Sequence, residues 1–322
     1  MEQIVMKRLT LLLVLILSTL DLMAHEVECH TYHYATADGQ HLMLDLYSLP
    51  TDNSAPRPCM IFAFGGGFVM GERNHEYYAR YFDTLAKSGI VVASIDYRLG
   101  LKNPPKEGGI KTMIGAMQHA VDIAVEDIYA ATCFVLMNSQ RLHIDPEKIM
   151  LSGSSAGAIA SLQAEWNRCN GADIAKVLPE EFSYAAVVAC AGAIFSTEGK
   201  PKFKHEPAPM LLFHGTSDGN VPYNRSSLFG IGFYGSKYIA KQLDKMNAPY
   251  WFYSAEYADH KIAGLPLWYQ CDLILQFIND YVVEGSRMQI TNEVEYLPRE
   301  RHQTHFRPRE YLQNNYKRRE GA

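Results

Sequence analysis

Gly153-Ser154-Ser155-Ala156-Gly157 sets a serine between two glycines in the pattern G-x-S-x-G, and its surroundings suit a nucleophile. An apolar run at 149–151 enters the motif and a helix-compatible run at 156–167 leaves it, so the chain must turn sharply from strand to helix. Such a turn projects Ser155, and not Ser154, from the end of a strand, while the flanking glycines let strand and helix approach each other. A serine hydroxyl is a weak nucleophile at neutral pH. It needs a base to take its proton and a third group to hold that base in the right tautomer. Two downstream loops supply them. The polar turn His214-Gly215-Thr216-Ser217-Asp218-Gly219 follows an apolar run, which makes Asp218 the candidate acid. The loop Ala255-Glu256-Tyr257-Ala258-Asp259-His260 follows the next one, which makes His260 the candidate base. Asp259 is a rival acid, but as the neighbour of His260 it would have to fold back to reach the imidazole. Among the other histidines, His214 ends a strand and suits a hydrogen bond within the rim of a sheet, whereas His119 and His143 precede the serine and read as structural.

Attack on a carbonyl also creates an oxyanion, which fixed N–H donors must stabilise. The apolar run ending at Phe64 passes straight into Gly65-Gly66-Gly67, and three glycines let a backbone come close to a ligand without Cβ obstruction. This loop is expected to face Ser155. A phosphate-cradling loop is the competing explanation, but both the G-x-G-x-x-G spacing and a following Lys-Ser/Thr are missing.

The elements that must carry these loops alternate. Residues 26–47 alternate in polarity around Asp38-Gly39, which predicts an antiparallel β-hairpin. Apolar runs at 59–64 and 90–95 flank a helical stretch at 76–87, and a long helical stretch at 111–141 leads to a further strand at 148–151. Strands at 185–191, 208–213 and 250–253 then alternate with helices at 156–167, 234–246 and 266–283. Repeated βα units of this kind predict an α/β fold, a mostly parallel open sheet with helices on both faces.

The chain has 322 residues, 48% of them hydrophobic, which excludes a disordered protein. Thirty Lys and Arg against 35 Asp and Glu give a formal charge of −5, without the basic excess that a nucleic-acid partner requires. Lys7 and Arg8 precede an apolar run at 9–20 that ends near Met23-Ala24, which predicts a signal peptide over residues 1–24, cleavage after about Ala24, and an exported protein with no membrane attachment thereafter. Residues 25–284 then form one catalytic domain, and 285–322 a polar C-terminal tail. All six cysteines lie beyond the cut, where disulfides can persist. Cys59 and Cys190 sit in apolar runs and read as buried thiols, and no pair has zinc-knuckle spacing, so no metal site is expected.

With Phe64-Gly65-Gly66-Gly67-Phe68, Asp96-Tyr97-Arg98-Leu99, the serine motif, Asp218 and His260 in this order, the chain resembles the α/β-hydrolase superfamily. Within it, exported carboxylesterases of the HGGG type and their acetyl-xylan or feruloyl esterase-like relatives are the best match, over roughly residues 31–283. The resemblance implies Ser155 as nucleophile, His260 as base and Asp218 as orienting acid, with the amides of Gly66, Gly67 and Ala156 forming the oxyanion hole. It implies a structural role for Asp96-Tyr97-Arg98. Phe64 departs from the pattern by standing where the family has His. The expected activity is hydrolysis of small soluble esters through an acyl-enzyme, without a cofactor. A serine peptidase or acyl transferase of the same fold is the alternative, as is a catalytically silent binding protein. The segment 228–234 is expected either to wall an acyl pocket or to pack in the core.

Overall fold

The computed structural model describes residues 26–50, 55–105 and 107–296. The proposed leader, and the basic residues from Arg299 onward, lie outside them. Twelve strands are present: β1 (Glu28–Ala37), β2 (Gln40–Ser48), β3 (Arg57–Ala63), β4 (Val91–Ile95), β5 (Ile144–Ser154), β6 (Ala186–Cys190), β7 (Ala193–Ser196), β8 (Met210–Gly215), β9 (Arg225–Leu228), β10 (Ile231–Gly235), β11 (Tyr250–Ala255) and β12 (Gln289–Val294). Nine of them form one sheet in the order β1-β2-β4-β3-β5-β6-β8-β11-β12. The first two joints, β1 with β2 and β2 with β4, are antiparallel, and every later joint is parallel.

The parallel strands are the apolar runs of the sequence. Cys59–Ala63, Val91–Ile95, Ala186–Cys190 and Met210–Gly215 are buried along their length, as strands covered on both faces must be. From β3 the chain steps one way to β4 through the helix Ala79–Lys87, then reverses past β3 to β5 through the helix Ile110–Met137. Right-handed crossovers in opposite directions put their helices on opposite faces. The helix Ala79–Lys87 accordingly packs with Leu265–Tyr269 and Cys271–Phe277, and Ile110–Met137 packs with Ala156–Asn170. Arg98, just after β4, ties this frame together by reaching Asp127 at 2.8 Å, Asp38 of the hairpin turn at 2.6 Å and Glu126 at 2.6 Å.

Three features depart from the sequence-based expectation. Residues 289–294, within the stretch expected to be a polar tail, form the outermost strand β12 against β11. Their alternating exposure, with Gln289, Thr291 and Glu293 outward, is that of an edge strand wetted on one side. The expected helix at 266–283 is broken into Leu265–Tyr269, Cys271–Phe277 and a wider π-helical turn at Ile278–Val283, with the break at Gln270. Finally, β7, β10 and β9 make a separate antiparallel sheet, in which Phe229 and Gly230 turn the hairpin with positive φ. Phe229 at its tip is 95% exposed, while Phe233 and Tyr234 are buried at its base.

Among the described residues all six cysteines are free thiols, with Cys59 and Cys190 fully buried. No described helix is long and apolar enough to cross a membrane.

Candidate active site

Four loops leave the same rim of the sheet, at the carboxyl ends of β3, β5, β8 and β11, where open α/β sheets present their ligand sites. Ser155 stands at the end of β5 with φ 50° and ψ −114°, outside the ordinary allowed regions. Two backbone hydrogen bonds hold it there: its N–H donates to the Cys190 carbonyl at 2.9 Å, and its carbonyl accepts from Ile159 N–H at 2.9 Å. The turn closes only with a glycine at position 157, where a Cβ would stand 2.0 Å from the Ala63 carbonyl oxygen. That oxygen ends β3, so strand, elbow and glycine loop are pressed into contact.

The structure brings together the three side chains that the sequence singled out. Ser155 Oγ lies 2.8 Å from His260 Nε2, and His260 Nδ1 lies 2.8 Å from Asp218 Oδ2. An ionised carboxylate only accepts, so Nδ1 carries the imidazole proton and Nε2 is left bare to receive one from the serine. Asp218 is fully buried in its side chain. Burial opposes its ionisation, but electrostatic attraction to the His260 imidazole and hydrogen bonds from His214 and His260 outweigh that, and the carboxyl is held well below the usual carboxylate range. The backbone N–H groups of Asn220 and Val221 donate to Oδ1 at 2.8 and 2.9 Å, fixing its orientation. Asp218 therefore caps its own turn and faces His260 at once. Asp259 points elsewhere: its Oδ1 accepts from the Lys261 amide at 3.0 Å. His214 is a second neighbour of Asp218, with Nε2 3.4 Å from Oδ2 and 3.2 Å from the Val221 carbonyl oxygen, while Nδ1 meets Ser236 Oγ at 2.8 Å. His119 is exposed, and His143 ends a helical turn on the far side of β5 with a left-handed backbone.

A group with a depressed native pKa stabilises the fold above its unfolded value, about 3.9 for Asp, and loses that effect as pH falls through the native value. The stability gap between the wild type and Asp218→Asn should therefore narrow as pH is lowered from 5 towards 2 in chemical denaturation, because Asn mimics the protonated carboxyl. A gap that stays constant over this range would contradict an Asp218 ionised in the folded protein.

Gly65, Gly66 and Gly67 line the same cleft as Ser155 and His260. Gly66 has φ +136°, and a Cβ there would stand 1.9 Å from the Met70 carbonyl oxygen, so the bend admits no other residue without rebuilding. The Phe64 ring, at the position where the resembled motif has His, stacks on Tyr97 at 4.4 Å, and the Tyr97 hydroxyl donates to the Phe64 carbonyl at 2.8 Å. The loop is thus anchored by aromatic packing and a phenol in place of an imidazole. The cleft holds about 480 Å³. A second hollow of about 400 Å³ adjoins it across Gly65, Gly66, Tyr77 and Tyr78 and reaches Glu72 and His75. The segment 228–234 borders neither of these two hollows: Leu228 and Phe229 are exposed, and Phe233 and Tyr234 are packed in the core.

Tyr77, Tyr78, Asn220, Lys261 and Leu265 also line the cleft, and the sequence did not point to them. Tyr77 and Tyr78 sit in the stretch expected to be the start of a helix, whose apolar face signals only burial. Their place at the entrance, in a short helical turn at Glu76–Tyr78 ahead of Ala79–Lys87, emerges once that turn folds over Gly65.

Comparison with known proteins agrees with this architecture. Residues 44–197 match the BD-FAE family model. The chain is 31% identical over 138 residues to Lipase 2 of a Moraxella species, covering 41% of this chain and 28% of that protein. It is 27% identical over 224 residues to the isoprenylcysteine alpha-carbonyl methylesterase ICME of Arabidopsis thaliana, covering 58% of this chain and 48% of that protein. The chain thus spans about half or less of the length of these curated relatives. Among solved structures, the apo form of Thermogutta terrifontis esterase 2 is similar with a TM-score of 0.57 and 24% identity, covering 83% of this chain and 97% of that one. MGS-M1, an alpha/beta hydrolase enzyme from a Medee basin deep-sea metagenome library, is similar with a TM-score of 0.56 and 19% identity, covering 80% of this chain and 99% of that one.

Proposed function

We propose that this chain, whose fold is that of the α/β hydrolases, is an exported serine carboxylic-ester hydrolase acting on small soluble esters. The observation that carries this reading is the continuous relay Ser155 Oγ, His260, Asp218, with both joints at 2.8 Å. Ser155 attacks the ester carbonyl as His260 Nε2 takes its proton. Asp218 holds the imidazole in the required tautomer and stabilises the imidazolium. The tetrahedral oxyanion is received by the amides of Gly66, Gly67 and Ala156. His260 then protonates the departing alcohol, and water activated by the same imidazole hydrolyses the acyl-enzyme. No step calls for a cofactor. The N-terminal run at 9–20 supports export, and the names of the curated relatives support an ester as the substrate.

A cleft of about 480 Å³ accommodates a small acyl or alcohol group, and we read the substrate as a small soluble ester, with acetyl and feruloyl esters of carbohydrates as the candidates. Offered p-nitrophenyl acetate, butyrate and decanoate together with a feruloyl ester, the mature protein should turn over the acetyl, butyryl or feruloyl compounds at least about tenfold faster than the decanoate in kcat/KM. Preference for the decanoate would overturn the small-ester assignment. Inactivity on every ester, with turnover of peptide amides, would replace esterase by peptidase.

A further inference from the structure

We propose that Tyr77 is a specificity-determining residue, a wall between two adjoining hollows that confines the ester to the one beside Ser155, a role that rests on the esterase reading above. The cleft of about 480 Å³ at Ser155 and the second hollow of about 400 Å³ have Gly65, Gly66, Tyr77 and Tyr78 in common. The two glycines have no side chain with which to divide them. Tyr78 is only 9% exposed, with its ring packed against Phe62 at 4.8 Å and its hydroxyl accepting from the Gly65 amide at 3.1 Å, so it belongs to the packed base beneath both. Tyr77, at 37% exposure, is the shared residue whose side chain stands clear of the core. Its ring is what a substrate reaching from one hollow into the other must pass.

A wall selects only if it is held in place. The Tyr77 N–H donates to His75 Nδ1 at 3.1 Å, and its carbonyl accepts from Trp268 Nε1 at 2.8 Å, so the backbone is tied on both sides of the ring. The ring lies 5.6 Å from that of Tyr78, edge to face at 87°, and 5.6 Å from that of Trp268. Trp268 is itself covered by the Arg80 guanidinium, 5.8 Å from its ring. The phenolic end reaches the other side of the cleft. A Cβ on Gly264 would stand 2.5 Å from the Tyr77 hydroxyl oxygen, and Gly264 directly follows the turn that begins at His260. The ring therefore crosses from the turn Glu76–Tyr78 to the segment that carries the base. The contacts that hold it are made by backbone and ring face, which makes the ring the selecting element. A pocket that admits or refuses a single methylene discriminates about 10- to 200-fold, so joining the two hollows should be visible in kcat/KM.

The test measures kcat/KM for the wild type, Tyr77→Phe and Tyr77→Ala on three esters, with fluorophosphonate labelling of the wild type alongside. The esters are p-nitrophenyl acetate, p-nitrophenyl decanoate, which is longer on the acyl side, and 2-naphthyl acetate, which is larger on the alcohol side. Tyr77→Ala should raise kcat/KM on at least one of the two larger esters, relative to p-nitrophenyl acetate, by about tenfold and by no less than about threefold. Tyr77→Phe keeps the ring and should hold both ratios within about twofold of the wild type. A variant that is merely less stable would lose activity on all three esters alike and leave the ratios unchanged. A gain short of about threefold on both larger esters would overturn the proposal. So would a Tyr77→Phe variant that shifts the ratios as far as Tyr77→Ala, because the hydroxyl would then be selecting. A wild type that neither turns over esters nor takes up the fluorophosphonate would overturn the esterase reading and this proposal with it, whereas an active wild type with unchanged ratios in Tyr77→Ala sinks the proposal alone. Should Tyr77→Ala fail to fold, Tyr77→Ser removes the ring as fully and decides by the same ratios.

Discussion

Ser155→Ala is expected to lose about 10,000-fold or more in kcat on p-nitrophenyl acetate, with KM nearly unchanged and folding intact. The magnitude follows from what is removed. Ser155 Oγ is the atom that His260 Nε2 contacts at 2.8 Å, and without it no acyl-enzyme forms. What remains is catalysis by the oxyanion donors and by binding, which in serine hydrolases leaves about 1,000- to 10,000-fold over water. Alanine also tolerates the strained elbow poorly, because φ 50° with ψ −114° suits no side chain well, but the two backbone hydrogen bonds to Cys190 and from Ile159 do not involve the hydroxyl. Ser154→Ala leaves the Ser155 nucleophile in place, so its loss should be far smaller. Steady-state kinetics on the two alanine variants, with circular dichroism to confirm folding, separates the neighbouring serines. Equal losses at both positions would remove the special status of Ser155.

The second large effect is expected at Asp218. Asp218→Asn should lower kcat by about 1,000- to 10,000-fold, whereas Asp259→Asn should stay within about threefold of the wild type. An asparagine at position 218 can satisfy the Asn220 and Val221 amides, so the turn survives. It can also turn its NH₂ towards His260, and then Nδ1 becomes the acceptor and Nε2 carries the proton. That tautomer cannot take a proton from Ser155. Asp259 offers the contrast, since its contacts with the Lys261 amide and ammonium lie away from the imidazole, and Asn is as good a cap there. Measured kcat values for the two variants decide between the two acids. A severe loss at 259 with a mild one at 218 would reassign the orienting carboxylate.

The relay could be read from the chain because each of its members follows an apolar strand, and because a serine elbow between glycines leaves little else for Ser155 to do. The strands themselves were legible for the same reason, since a parallel sheet covered on both faces spells out its members as unbroken apolar runs such as Met210–Phe213. Legibility failed where the governing contact is distant or one-sided. Strand β12 is bonded on one side, to β11, and its outward Gln289, Thr291 and Glu293 give it the composition of a tail. The segment 228–234, equally readable as a pocket wall or as packed core, divides in the β9–β10 hairpin: its tip, Leu228-Phe229, projects into solvent, while Phe233 and Tyr234 are buried. The helix expected at 266–283 has the right periodicity, but periodicity reports which face is buried and is blind to the break at Gln270. Tyr78 and Ser154 were least accessible of all. Their partners, Gly65 and Ala263, lie 13 and 109 residues away in the chain, and no local pattern announces a hydrogen bond made across a folded rim.

The account stands on Ser155 being the atom that becomes acylated. Brief treatment of the folded protein with a fluorophosphonate, followed by proteolysis and fragment mass spectrometry, reads that directly. The predicted result is one adduct per chain, localised to Ser155 within residues 149–168 and absent from the His260→Ala variant on the same timescale. An adduct on Ser154 or elsewhere, or a protein that stays unmodified while hydrolysing esters, would contradict it.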